Sequence, residues 1–383
     1  MTDEPAVIGP PLSEEAAADQ RVLDRALDAI GPLDAAAMAE AAAGLDRLTK
    51  PPSSLGLLET MVIELAGITG RADATVERGV VVIAAADHGV TRQGVSAYPS
   101  DVTAQMVANF VAGGAAINVL GAWAGVSVVV VDAGVASPIP VVSADPVRGG
   151  RLVRARIRDG TADMTVGPAM TRDEALRAVA TGIDHAGALW ADGLDLLGVG
   201  EMGIGNTTAA SAICAVLTDR PVALVTGRGT GIDDATHARK IAAIERAIEV
   251  NSPDRRDPIG VLAAVGGLEI ALLVGVIAGA AEARIPVVLD GFITGAAALV
   301  AAGLQPAIAP RLIAAHRSIE PGHAVILERL ERRPLFDLDL RLGEGTGAAL
   351  AMGLIGAAVR LRDGMATFES AAVSGPTDAS EPA

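Results

Sequence analysis

Gly198-Val199-Gly200-Glu201-Met202-Gly203-Ile204-Gly205-Asn206-Thr207-Thr208 reads as a strand that runs through glycines into a helix. The apolar run Asp195-Leu196-Leu197-Gly198-Val199 supplies the strand, and Asn206 to Leu217 has helical character, so the unit expected is the building block of a parallel sheet. Backbone N–H groups in such a turn, together with the helix N-terminus, form a site suited to an anion such as a phosphate. The spacing of Gly198, Gly200 and Gly203 also fits the dinucleotide fingerprint. That fingerprint needs an acid at the end of the following strand, whereas Asp219 precedes the run Val222 to Val225 and nothing acidic follows it before Gly227. A tight strand-to-helix turn explains the glycines equally well.

Outward from this unit, β-branched runs alternate with helical patterns. The readable strands are Val80 to Ile83, Val126 to Val131, Asp195 to Val199 and Ile285 to Leu289, with a weaker one at Val222 to Val225. Helices are expected over Asp101 to Val111, Arg172 to Trp190, Asn206 to Leu217 and Asp233 to Val250, the second opened by the capping box Thr171-Arg172-Asp173-Glu174. The fold class is therefore α/β, a parallel sheet with helices on both faces. Acidic or Gly-bearing loops at Asp87-His88-Gly89, Asp132-Ala133-Gly134, Gly200 to Gly203 and Asp290-Gly291 end the strands, where open parallel sheets bind ligands. The segments before Val76 and after about Pro310 read as helices and loops without strands. Residues 16–75 and 310–367 are expected to form a small helical domain beside a large one over 76–309, with disordered tails at 1–15 and 368–383.

Of the 383 residues 51% are hydrophobic and only 2% aromatic, so the core must be aliphatic and packed around the 44 glycines. A net charge of -16 opposes binding to nucleic acid. The single cysteine, Cys214, lies in an apolar run and reads as a small buried hydrophobe. Met1 to Gln20 is acidic and lacks a basic stretch followed by an apolar one, so it does not read as a signal peptide, and a cytoplasmic location is expected. Val261 to Ala281 is apolar, but Glu269 and Gly266-Gly267 interrupt it, which favours a buried helix over a membrane span.

Further segments can carry chemistry. Thr226-Gly227-Arg228-Gly229-Thr230-Gly231 is a second Gly-rich loop entering a helix, and Lys240 lies two turns into that helix, an arrangement suited to clamping a phosphate. In Leu342-Gly343-Glu344-Gly345-Thr346-Gly347 an acid stands between glycines, open to a substrate, and an apolar wall would raise its pKa towards working pH. A carboxylate at a helix N-terminus is the plainer reading of the same residues. Asp87-His88 after a buried strand reads most simply as a hydrogen-bonded structural pair, and with five histidines, none at ligand spacing, no metal is inferred.

Taken in order, Leu48 to Gly56 (Leu-Thr-Lys-Pro-Pro-Ser-Ser-Leu-Gly), Ala86 to Val90, Gly200 to Thr208, Thr226 to Gly231 with Lys240, and Leu342 to Gly347 resemble the nicotinate-nucleotide:dimethylbenzimidazole phosphoribosyltransferase family. Leu289-Asp290-Gly291-Phe292 and His316 to Gly322 match it less strongly, and Ser53 stands where the family pattern has Gly. The resemblance implies a Rossmann-like domain, a small domain from both chain ends, a homodimer without a cofactor, and phosphoribosyl transfer from nicotinate mononucleotide to 5,6-dimethylbenzimidazole in cobalamin nucleotide-loop assembly. It further implies Glu344 as the general base. Its substrate-binding residues would be Glu201, Met202, Gly203, Gly205, Asn206, Thr207, Gly229, Gly231, Lys240, Asp87, His88, Gln93, Asp290, Ser318 and Gly343. A transferase using phosphoribosyl pyrophosphate is disfavoured, because such enzymes end a strand in two adjacent acids and Val130-Val131-Asp132-Ala133-Gly134 has one. A nucleotide-sensing binding module is the remaining alternative.

Overall fold

The computed structural model describes residues 12–229 and 231–374. The chain opens with α1 (Glu14–Asp28), α2 (Ala35–Asp46) and α3 (Leu57–Thr69), followed by β1 (Gly79–Ala86), α4 (Asp101–Ala112), α5 (Ala116–Ala124), β2 (Ser127–Gly134) and β3 (Arg151–Arg154). It continues through α6 (Arg172–Ala191), β4 (Leu196–Met202), α7 (Asn206–Thr218), α8 (Val222–Val225), α9 (Asp234–Asn251), α10 (Pro258–Val265) and α11 (Leu268–Glu282). The last elements are β5 (Val287–Leu289), α12 (Phe292–Leu304), β6 (Leu312–Ala314), α13 (Pro321–Arg329) and α14 (Thr346–Gly364).

The strands form one sheet in the order β3-β2-β1-β4-β5-β6, and every neighbouring pair is parallel. This is the doubly wound order, with its topological switch between β1 and β4. Alternate residues of β1 divide between the two faces, as the two-residue period of a strand requires. Val82, Ala84 and Ala86 join the apolar cluster containing α1, α6, α10 and α11, while Val81, Ile83 and Ala85 join that of α3, α4, α5 and α14.

The glycines of the opening motif have a packing explanation. A side chain at Gly198 would meet Met352 Sδ of α14 at 2.8 Å, and one at Gly200 would meet the backbone carbon of Glu344 at 2.6 Å. These two glycines let the segment carrying Glu344 lie directly on β4.

Three expectations are corrected. Val222 to Val225 is a short helix, with Leu224 exposed and Val225 buried, and not a strand. A four-residue run following Pro221 has no neighbour strand to pair with. A strand, β6, follows Pro310, contrary to the expectation of helices and loops alone. The apolar run Val261 to Ala281 is two buried helices broken at Gly266-Gly267, not one. Gly113, at φ 80°, likewise divides the apolar stretch 101–124 into α4 and α5, helices of 12 and 9 residues, each shorter than the ~20 needed to span a bilayer.

Helices from the two chain ends meet, since Leu48 bridges to Thr367 and Phe368 N–H donates to the Arg47 carbonyl at 3.0 Å. Leu45, Leu65 and Met352 nevertheless share one apolar cluster with the sheet, and α1 packs on the opposite face. Of the expected tails, residues 1–11 and 375–383 lie outside the described residues. Glu14 already begins α1 and residues 368–374 form hydrogen-bonded turns, so the tail bounds at 15 and 368 are too generous.

Candidate active site

A cavity of about 590 Å³ opens at the carboxyl ends of β4 and β5, beside the switch point. Of the residues expected in the site, Glu201, Met202, Gly203, Asn206, Thr207, Gly229, Asp290, Ser318, Gly343 and Glu344 line it. Tyr98, Val102, Met106, Phe292, Ile293, Leu340 and Leu342 give it an apolar wall.

Glu344 sits at the head of α14 in a turn of three consecutive left-handed residues, with φ 85° at Gly343, 64° at Glu344 and 89° at Gly345. The glycines adopt this region freely, whereas for Glu344 it costs about 1–2 kcal/mol. Such strain persists only where the surroundings impose it, which is characteristic of functional positions. Here the restraint is Asp290 at the end of β5, whose carboxylate accepts the N–H groups of Gly345 at 3.1 Å, Gly347 at 2.7 Å and Ala348 at 3.2 Å. Glu344 is buried, and its Oε2 has no hydrogen-bond partner. Burial, followed by the negative charge of Asp290, raises its pKa to about 7, against an opposing hydrogen bond from the Ile117 backbone.

Glu201 projects from the end of β4 and accepts a hydrogen bond from Asn206 Nδ2. Burial and then the charge of Asp290 raise its pKa to about 8, so it is largely protonated at neutral pH. Asp290 is itself raised by burial, opposed by His316 and the three amides. Three acids thus converge in the cavity, and burial holds all three above the usual carboxylate range.

The other end carries donors. Lys240 Nζ donates to Thr207 Oγ1 at 2.8 Å, beside the N-terminus of α7. Although Lys240 lies outside the cavity lining, it is 1% exposed, and burial lowers its pKa to about 8. It therefore remains mostly charged at neutral pH, and the ammonium, the hydroxyl and the helix N-terminus together suit an anion.

The second Gly-rich loop differs from the expectation. Gly229 N–H is already taken by Glu320 Oε1 at 2.8 Å, Gly231 is exposed with open space around it, and Thr230 lies outside the described residues. Gly205, at φ 97°, caps α7 behind the lining, against Thr91 and His88.

Asp87, His88 and Gln93 do not line the cavity. His88 Nε2 pairs with Glu269 Oε1 at 2.7 Å, with both side chains buried. Burial works against charge on His88, but Glu269 outweighs it and holds the imidazole pKa above its usual value. A side chain at Gly203 would meet this ring at 3.4 Å, so the pair forms the floor beneath the glycine turn. Asp87 accepts the Ala136 N–H at 2.8 Å, and exposed Gln93 donates to Asp163 at 2.6 Å. Cys214 is buried, its thiol pushed up to about 12 by burial, and is inert as a nucleophile.

Sequence reasoning missed His316, Phe292 and Glu320 as individual site residues. Glu320 directly precedes Pro321 at the start of α13, and an acid before a Pro-initiated helix was the available signal.

A doubly wound sheet with buried acids and an anion-binding corner at its switch point defines an α/β enzyme acting on a phosphorylated small molecule. Comparison narrows this. Residues 30–373 match a family model described as Phosphoribosyltransferase. A nicotinate-nucleotide–dimethylbenzimidazole phosphoribosyltransferase of Chloroflexus aggregans is 56% identical, over 92% of this chain and 98% of that protein. Its namesake in Roseiflexus sp. (strain RS-1) is 54% identical, over 93% and 99%. The crystal structure of the Thermus thermophilus enzyme of that name superposes with a TM-score of 0.82 at 46% identity, covering 90% of this chain and all of that one. The chain belongs to the nicotinate-nucleotide–dimethylbenzimidazole phosphoribosyltransferase family.

Proposed function

We propose that this protein moves the phosphoribosyl group of nicotinate mononucleotide onto 5,6-dimethylbenzimidazole, giving alpha-ribazole 5'-phosphate and nicotinate for the cobalamin nucleotide loop. The observation that carries this reading is Glu344, a buried carboxyl with an unpartnered oxygen and a pKa of about 7, in a cavity wide enough for two substrates.

In nicotinate mononucleotide the ring nitrogen bonded to C1′ is positively charged, so the C1′–N bond breaks with its electron pair leaving on a neutral nitrogen. No acid is needed for that departure. One nitrogen of the benzimidazole attacks C1′ while the other must lose its proton, which requires a base within about 3 Å. Glu344 takes that proton. Lys240, Thr207 and the start of α7 anchor the 5′-phosphate and so fix C1′ for inversion from the β to the α linkage. Glu201 is a second acid of the base pocket, neutral at working pH, so that it does not repel the anionic nucleotide. The apolar wall of Val102, Met106 and Leu342 accommodates the methylated ring. Asp290 and Ser318 complete the site, and the His88–Glu269 pair supports it from below.

The reading extends to a cytoplasmic homodimer, as the family resemblance implies; light scattering of the purified protein at twice the chain mass of 38.4 kDa is the expected result. Activity is tested by incubating the protein with both substrates and following free nicotinate. Release that depends on the benzimidazole supports the reading. Nucleotide binding without release would favour a sensing module instead.

A further inference from the structure

We infer that Glu320 is the residue that accepts the ribose hydroxyls of the nucleotide. The inference rests on the transferase reading above and concerns how the same site holds its sugar. Nicotinate mononucleotide offers two hydrogen-bond donors, its ribose hydroxyls, since its phosphate and carboxylate only accept; dimethylbenzimidazole offers one, its ring N–H. Among the described cavity residues, three buried side-chain atoms lack any partner: Glu344 Oε2, Glu320 Oε2 and His316 Nδ1. Buried polar atoms without partners are uncommon and costly, and the two carboxylate oxygens among these mark where donors arrive.

Position sorts the three. Glu344 meets the benzimidazole N–H. His316 lies at the same end, 3.8 Å from Asp290. Glu320 belongs to the phosphate end, where its Oε1 takes the Gly229 N–H at 2.8 Å and the Lys240 ammonium stands 3.7 Å from where a Gly229 side chain would begin. The ribose hangs directly from the phosphate, so a carboxylate beside the phosphate donors is where its diol falls. Glu320 is also fixed in place. It is 6% exposed, its N–H reaches Ser318 Oγ at 3.4 Å, and its free oxygen rests against Gly227, where any side chain would collide. Of the other cavity carboxylates, Asp290 is committed to three amides, one oxygen of Glu201 is taken by Asn206, and Asp339 is exposed on the rim.

The test compares wild type with Glu320→Gln on nicotinate mononucleotide and on its 2′-deoxy and 3′-deoxy analogues. Glutamine keeps an oxygen for Gly229 but removes the charge. A roughly tenfold to hundredfold drop in kcat/KM is expected with the natural nucleotide, while dimethylbenzimidazole binds within about twofold of wild type, which also verifies the fold. Wild type is expected to lose a similar factor on at least one analogue, and E320Q to lose much less on that same analogue, because the interaction is already gone. An E320Q variant as active as wild type, or carrying the full analogue penalty, overturns the inference alone. So does a wild type indifferent to both hydroxyls, a result independent of the variant. A wild type that releases no nicotinate overturns the transferase reading, and the inference with it.

Discussion

Asp290 and Glu344 lie on separate elements, yet the carboxylate of Asp290 holds the turn that presents Glu344 by binding three amides at the head of α14. One acid supplies a position, and the other is the proposed base. Asp290 also raises the pKa of its neighbour by charge, so its two effects are separable.

Replacing Asp290 by Asn keeps size and one acceptor but removes the charge. Turnover is expected to fall about tenfold or more through loss of charge-assisted hydrogen bonds, with nucleotide affinity nearly unchanged. The acidic limb of the kcat profile should move to lower pH, because Glu344 loses a repulsive neighbour. Steady-state kinetics across pH checks both effects.

The pH profile of the natural protein follows from two groups. Glu344 must be ionised to act, so kcat should rise with pH through about 7. Lys240 must be protonated to hold phosphate, so kcat/KM for the nucleotide should decline above about 8. A bell is expected, with its basic limb shallower when Lys240 is replaced by Met, since Glu201 also ionises near 8.

Burying a functional carboxyl also lowers stability. A glutamate ionises near 4.5 when unfolded and Glu344 near 7 when folded, so its favourable term is complete below the first value and is lost as pH rises through the second. Glu344→Gln removes this dependence. At neutral pH its thermal midpoint should exceed that of wild type by a few degrees, measurable by calorimetry.

The His88–Glu269 pair is fully buried, and neither partner tolerates being left alone. Glu269→Ala should cost about 1–3 kcal/mol, read from denaturant unfolding, because the buried imidazole loses both the partner of its Nε2 and the charge that keeps it protonated.

Much of the fold was legible because β-branched runs flanked by glycine mark central strands, as in Val80 to Ile83 and Val126 to Val131. The edge strand β3, Arg151-Leu152-Val153-Arg154, has two apolar residues and only one partner strand, too little pattern to read. β6, Leu312-Ile313-Ala314, has one β-branched residue, whereas the equally short β5 lies in the β-branched run Ile285 to Leu289. Ser53 is instructive. It stands where the family pattern has Gly and keeps φ 58°, so the loop retains the left-handed conformation without the residue suited to it. Ser53→Gly should therefore stabilise the fold, by up to about 1 kcal/mol in denaturant unfolding. In the site, Glu344 and Glu201 stood out because glycines isolate them in sequence, whereas His316 and Glu320 acquire their roles from distant chain segments, Asp290 and Gly229, that sequence spacing does not bring together.

The most direct measurement is nicotinate release by Glu344→Gln beside wild type, at saturating nicotinate mononucleotide and dimethylbenzimidazole. A fall in kcat of roughly a hundredfold or more, with the nucleotide KM little changed, is expected if Glu344 withdraws the proton. Equal turnover by the two proteins would contradict the account.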